Sequence, residues 1–208
     1  MDRKAPQAAV SAGQVKELRS RTGAGVIDCR DALVEAQGDL EKAAQLLRAK
    51  GLAAAERKSG RVAREGLVTS YIHGEGRLGV LVEVNCETDF VARTPEFKTL
   101  ARDVALQIAA SAPQYVSRAE VPMEIVDAER AAYVAQANAD GKSEAVAARI
   151  AEGKLEKFFA TICLVDQPFI RDDGAAARTV GDVVREVIAK TGENIQVRRF
   201  ARFRLGEE

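Results

Sequence analysis

The stretch RLGVLVEVNCETDFVARTPEF, Arg77 to Phe97, decides the fold. Its first half keeps a period of two. Leu78, Val80, Val82, Val84 and Cys86 point one way, and Glu83, Asn85 and Glu87 point the other. That alternation predicts a strand with one buried and one wet face. The second half changes to a helical start, with Thr94 as N-cap, Pro95 at the first helical position and Glu96 in the first turn. Phe97, Leu100, Ala101, Val104 and Ile108 then continue as an apolar stripe. Between strand and helix lies the corner Thr88-Asp89-Phe90-Val91. Corners usually carry Gly, Asn, Asp or Ser, which turn chemistry favours. A Phe there is either buried under its own helix beside Phe97 or offered to something else.

Before this strand, LVTSYIHG repeats the period of two from Leu67, and Gly74-Glu75-Gly76 predicts a hairpin loop between the two runs. After the corner helix, further helices are expected behind Pro122 (MEIVDAERAAYVAQAN), behind Ser143 (EAVAARIAEG) and behind Gly153 (KLEKFFATICLV). QPFIRDDG reads as an extended stretch and turn. Thr179 caps VGDVVREVIAKTG, with Val180, Val183, Val184, Val187 and Ile188 on one face. The tail ENIQVRRFARFRL is β-like and joins the hairpin most easily as a third strand.

The N-terminal quarter has a different texture. Ser11 and Gln14 form a capping box ahead of VKELRSR. A second helix in VIDCRDALVEAQ places Val26, Cys29, Leu33 and Ala36 on one stripe. Gly38 suits a left-handed C-terminal cap and Asp39 the next N-cap; Leu40, Ala43, Ala44 and Leu47 carry the third helix. Three short helices enclose only a small core, as binding modules usually do. The expected organisation is a disordered tail at 1–10, a three-helix unit at 11–55, a basic helical linker at 56–66 and an α+β core at 67–208. Arg48, Lys50, Arg57, Lys58, Arg61 and Arg64 give residues 48–64 their basic character, suited to an acidic partner or to a solvated linker.

Composition narrows the function. The 208 residues hold 31 Lys plus Arg and 31 Asp plus Glu, a formal net charge of zero, which argues against whole-chain electrostatic binding of nucleic acid. No apolar run reaches the roughly 20 residues that span a bilayer, and MDRKAPQAAV lacks a signal-peptide apolar core. Cys29, Cys86 and Cys163 are sparse and odd in number, as reduced thiols of a cytoplasmic protein would be, and no CxxC pair suggests zinc.

Catalytic patterns are few. A nucleophile needs a base beside it, and the one histidine, His73, has a conceivable partner in Cys86. Cys86 lies on the apolar face, however, where a small hydrophobe is its ordinary role. Asp172 and Asp173 are a possible metal pair or a surface turn. Arg198, Arg199, Arg202 and Arg204, with Phe200 and Phe203, suit stacking on nucleic acid or the solvent face of a strand.

Several long motifs resemble the elongation factor Ts family, in order, over about Val15 to Leu205. They are VKELRSRTGAGVIDCRDAL, EVNCETDFVAR, GKLEKFFATICLVDQPFIRDD and GENIQVRRFARFRLGE. The resemblance implies an α+β protein: an N-terminal three-helix ubiquitin-associated-like domain, plus a core with a three-stranded antiparallel sheet flanked by helices. It implies a guanine-nucleotide exchange factor for elongation factor Tu that performs no covalent chemistry and needs no cofactor or metal of its own. Val26 and Ile27 match the family's exposed apolar docking contact, often Met-Met there. Thr88, Asp89, Phe90 and Val91 match the family's TDFV element, whose Phe inserts between helices of the partner's G domain and disturbs the Mg²⁺ site so that GDP leaves. The chain resembles the family's short form, which lacks a second core half and would complete its interface as a homodimer through the core sheet. No direct nucleic-acid or membrane partner is implied.

Overall fold

The computed structural model describes residues 10–174 and 177–207; the expected tail lies outside them except for Val10. Helix α1, Ala12–Thr22, begins with the expected box: the Gln14 amide donates to Ser11 Oγ (3.1 Å) and the Ser11 amide to Gln14 Oε1 (3.0 Å). Val10 and Val15 flank this cap and both pack on the helical core, the arrangement of a hydrophobic staple. Helix α2 spans Val26–Glu35. Its end closes a double turn, with the Gly38 amide on Leu33 O (2.8 Å) and the Gln37 amide on Val34 O (3.2 Å). The first left-handed residue past the cap is Gln37 (φ 55°), one position before the expected Gly38 (φ 87°). Asp39 Oδ1 accepts the Glu41 and Lys42 amides and starts α3, Leu40–Lys58. Leu18, Cys29, Ala32, Leu33, Ala36 and Ala43 form the buried centre of this unit.

Helix α3 runs unbroken through Lys58, so the expected boundary between residues 55 and 56 falls inside it. Of the expected helical linker, only 56–58 is helical, and the first strand begins at Glu65. The Ala-rich run has no strong stop signal and its small face has a place to pack. Ala55 is buried in the main core, and Gly51 abuts Ala189 of helix α8, Val180–Thr191.

The α+β expectation is met. Strands β1 (Glu65–His73), β2 (Leu78–Cys86) and β3 (Gln196–Arg204) form one antiparallel sheet in the order β1-β2-β3. The hairpin loop uses positive φ at Gly74, Glu75 and Gly76. Val80, Val82, Val84 and Cys86 are buried against helix α5, Pro95–Ser111, whose Phe97, Leu100, Ala101, Val104 and Ile108 supply the facing stripe. On the other face Asn85 is buried, not wet as expected. It pairs in register with Gly66, its Nδ2 donates to Glu65 O (3.2 Å), and Gly66 takes φ 145° with no room for a side chain: a Cβ would stand 2.1 Å from Val84 O. A bulge between Glu83 and Val84 leaves Arg198 out of the β2–β3 pairing.

Helices α6 (Met123–Ala139) and α7 (Glu144–Ile162) pair as a second hairpin. The two helices expected on either side of Gly153 are one. Gly153 sits where a Cβ would meet nothing, and the good helix formers around it offset its roughly 1 kcal/mol penalty. Val121, Ile162 and Cys163 form a third small core beneath this hairpin. The three cysteines, all buried and unpaired, thus fall one to each core: Cys29, Cys86 and Cys163.

Candidate functional site

The corner after β2 is held from a distance. Thr88 caps a four-residue helix, α4 (Asp89–Ala92), by accepting the Val91 amide on Oγ1 (3.4 Å). The same hydroxyl donates to Glu193 Oε1 (2.6 Å), while Glu193 Oε2 accepts the amides of Glu87 (3.1 Å) and Thr88 (3.0 Å). Glu87 returns the contact, its Oε1 accepting the Asn194 amide (2.6 Å). Each carboxylate thus satisfies backbone donors of the other's segment. Asn194 Nδ2 extends the clasp to the end of α3, donating to Ser59 O (3.3 Å) and Arg61 O (2.7 Å).

On this rigid corner the four sequence-predicted residues divide by role. Thr88 is the cap, and Val91 is buried in the main core. Asp89 points outward and pairs with Arg93 (2.8 Å). Phe90 is 79% exposed, whereas Phe97 is fully buried. The alternatives left open by spacing are therefore resolved for this chain: the Phe90 ring does not pack under its own helix. A nearly bare aromatic on a braced turn can enter a partner's crevice, and burying it there would yield roughly 1.5–3 kcal/mol.

Val26 and Ile27 open α2 behind Gly25, which offers no side-chain cap. They are 53% and 67% exposed, so Val26 stands off the buried stripe on which spacing alone placed it. The first turn of α2 turns both side chains outward, while Cys29 and Leu33 take the inward positions.

The remaining candidates do not assemble chemistry. His73 pairs with Leu78 at one end of the hairpin and Cys86 with Glu65 at the other, about 27 Å apart along β2. His73 Nδ1 instead meets the Tyr71 hydroxyl (3.2 Å). Burial, reinforced by the charge of Glu193, pushes the Cys86 thiol up to about 11, and its Sγ donates to Thr88 O (3.1 Å). Asp172 is taken by Arg178, whose amide, Nε and Nη2 all donate to it; these bonds hold its carboxyl down at about 2. Among the described residues no cluster of three or more metal-ligating side chains occurs.

Three of the four tail arginines are engaged. Arg199 Nε donates to Glu83 (2.7 Å), Arg202 Nη1 to Glu207 (2.5 Å), and Arg204 lies 3.6 Å from Glu207. Arg202 Nε also reaches Ala109 O (3.4 Å) at the C-terminal end of α5, where a cation is favoured. Phe200 packs on the core and Phe203 is exposed. The outer sheet face also carries Val68, Ile72 and Leu81, all exposed: Ile72 shares the row of Phe203, and Val68 that of the Glu83–Arg199 pair. This outer face is mixed, four exposed apolar side chains with Ser70 and one ion pair among them, and the described residues do not cover it.

Sequence reasoning missed Glu87, Glu193 and Asn194 as the clasp. Their partners are more than 100 residues away, so no local period marks them. The available signal was a polar pair, Glu193-Asn194, directly behind a helix-ending glycine and before a strand.

Comparison with known proteins adds the context. A family model described as "Elongation factor TS" matches residues 53–178. The chain is 58% identical over 198 residues to the elongation factor Ts of Carboxydothermus hydrogenoformans, covering 95% of this chain and 90% of that protein. It is 57% identical to the elongation factor Ts of Caldanaerobacter subterraneus subsp. tengcongensis, over 95% of this chain and 98% of the relative. With the elongation factor Ts of an Anaeromyxobacter species it shares 57% over 200 residues, 96% of this chain and 90% of the relative.

Proposed function

The chain belongs to the elongation factor Ts family of translation elongation factors, and from that premise we propose that it promotes release of GDP from elongation factor Tu so that GTP can bind. The observation that carries the proposal is the bare Phe90 ring on a clasped corner. In this reading the ring wedges between helices of the partner's G domain, and Asp89 faces the partner's switch and metal region. The bound nucleotide depends on Mg²⁺ and on phosphate contacts. A protein that binds the metal-free, nucleotide-free partner best lowers GDP affinity by linkage, and incoming nucleotide expels it by the same factor. The three-helix unit, ubiquitin-associated-like in this reading, docks through Val26 and Ile27 and raises the local concentration of the wedge. The chain acts in the cytoplasm, as an exchange factor that makes no covalent bond. Among the described residues no helix is long and apolar enough to cross a membrane.

The outer sheet face supports a second element of the proposal, a homodimer. Val68, Ile72, Leu81 and Phe203 leave four large apolar side chains exposed on one sheet face, and apolar surface gathered on one face is what interaction sites use. Two copies stacked face to face would cover both patches at the ordinary sheet-to-sheet spacing of about 10 Å.

Stopped-flow release of a fluorescent GDP from elongation factor Tu tests the central claim. The expected result is a release rate that rises with this protein and saturates. A rate unchanged at any concentration would overturn it.

A further inference from the structure

The proposed exchange reading rests on Phe90, yet nothing in α4 itself is long enough to hold that ring in place. An isolated four-residue helix is far below the length that is stable alone. Val91 and Ala92 tie it to the main core, and the two residues that lead into it, Glu87 and Thr88, have their amides satisfied by one distant carboxylate. We propose that Glu193 is the positioning residue for exchange: by accepting the Glu87 and Thr88 amides and the Thr88 hydroxyl, it sets the cap from which Phe90 projects. This deepens the exchange reading and depends on it.

The physical case has three parts. First, the bonds are charge-assisted and part-buried, at 3.1, 3.0 and 2.6 Å, a class roughly twice as strong as neutral ones. Second, the bond from the Thr88 hydroxyl orients it, so that its lone pairs face the Val91 amide and the cap forms. Third, Glu193 is anchored behind the end of α8 and directly before Asn194, which binds Glu87 and the end of α3. The corner is thus referenced to α8 and α3 and not to its own short helix. Glu193 touches no partner atom in this account; it acts through Thr88 on Phe90.

The experiment uses the full chain with Glu193→Ala, Glu193→Gln, Phe90→Ala and the double variant Phe90→Ala/Glu193→Ala. Two quantities are read: the plateau rate and half-saturating concentration of fluorescent GDP release, and hydrogen exchange of the Glu87 and Thr88 amides against that of core β2 amides. Glu193→Ala should lower the plateau by about tenfold, with the half-saturating concentration nearly unchanged. It should speed exchange at Glu87 and Thr88 while Val82 stays protected, which shows an intact fold. Glu193→Gln, which keeps an oxygen for the two amides, should recover part of the plateau. The double variant should match Phe90→Ala alone, because both act on one ring. A Glu193→Ala plateau equal to wild type, beside a Phe90→Ala plateau that falls, would overturn the inference and leave the exchange reading standing. A further loss in the double variant would also overturn it. A Phe90→Ala plateau equal to wild type would remove the exchange reading and this inference together.

Discussion

Gly51 of α3 and Ala189 of α8 meet so closely that a Cβ on Gly51 would lie 3.3 Å from the Cβ of Ala189. This crossing joins the helical unit to the core through small residues, and Ala55 one turn further on is part of the core itself. Arg48 adds a contact to Glu186 of α8 (3.7 Å). The division of the chain near residue 55, expected from the family resemblance, therefore has a physical cost at α3.

A truncation series should show it. A chain beginning at residue 48 should keep a cooperative thermal transition close to that of the full protein, because the half of α3 that covers α8 remains. A chain beginning at residue 56 removes Gly51 and Ala55 from the α8 face and should melt several degrees lower. Equal midpoints for the two would mean that the α3–α8 crossing contributes nothing to the core.

Phe90→Ala should leave stability nearly unchanged, since a ring that is 79% exposed has little burial to lose. Exchange on elongation factor Tu should fall by about tenfold or more, the equivalent of the roughly 1.5–3 kcal/mol of a ring buried in a partner. Urea unfolding and stopped-flow GDP release on the same preparation separate the two effects.

On the outer sheet face, Leu81→Arg should disfavour self-association, because it places a charge among Val68, Ile72 and Phe203. Sedimentation should show the wild type as a dimer and the variant shifted toward monomer, with the far-ultraviolet spectrum preserved. A wild type that sediments as a monomer at all accessible concentrations would end the dimer proposal.

Asp172 gives a pH dependence. Its carboxyl, held by Arg178, titrates at about 2 in the folded chain against an ordinary value of 3.8. The folded value is depressed, so its stabilisation is fully present above about pH 4 and is lost as pH falls from there toward 2. Asp172→Asn should therefore be less stable than wild type at neutral pH. The gap between the two should close between pH 4 and 2 in urea titrations.

Much of the fold could be read from local chemistry. The capping box at Ser11 and Gln14, the Asp39 and Thr94 caps and the period of β2 are short-range signals, and the structure shows each of them. The readings that differed involve long-range competition. A glycine at 153 reads as a break, but pairing with α6 carries α7 straight through it. Asn85 reads as wet by alternation, yet the close approach of Gly66 buries it. Periodicity put Val26 on the inward stripe, whereas the first turn of α2 faces it outward. At the candidate site, spacing located Phe90 but left its exposure open. Of the residues that brace it, Glu193 and Asn194 carry only a weak local signal, because their partners lie more than 100 residues earlier in the chain.

The distribution of thiols, one in each of the three cores, makes the unmodified chain its own set of gauges. Burial pushes the thiols of both Cys86 and Cys163 up to about 11, so neither reacts while its surroundings stay closed. Alkylation followed site by site would then report how often each core opens: Cys29 for the three-helix unit, Cys86 for the sheet, Cys163 for the base of the α6–α7 hairpin. Equal rates would mark one cooperative body. A fast Cys29 beside a slow Cys86 would mark a three-helix unit that unfolds while the sheet and its corner stay closed.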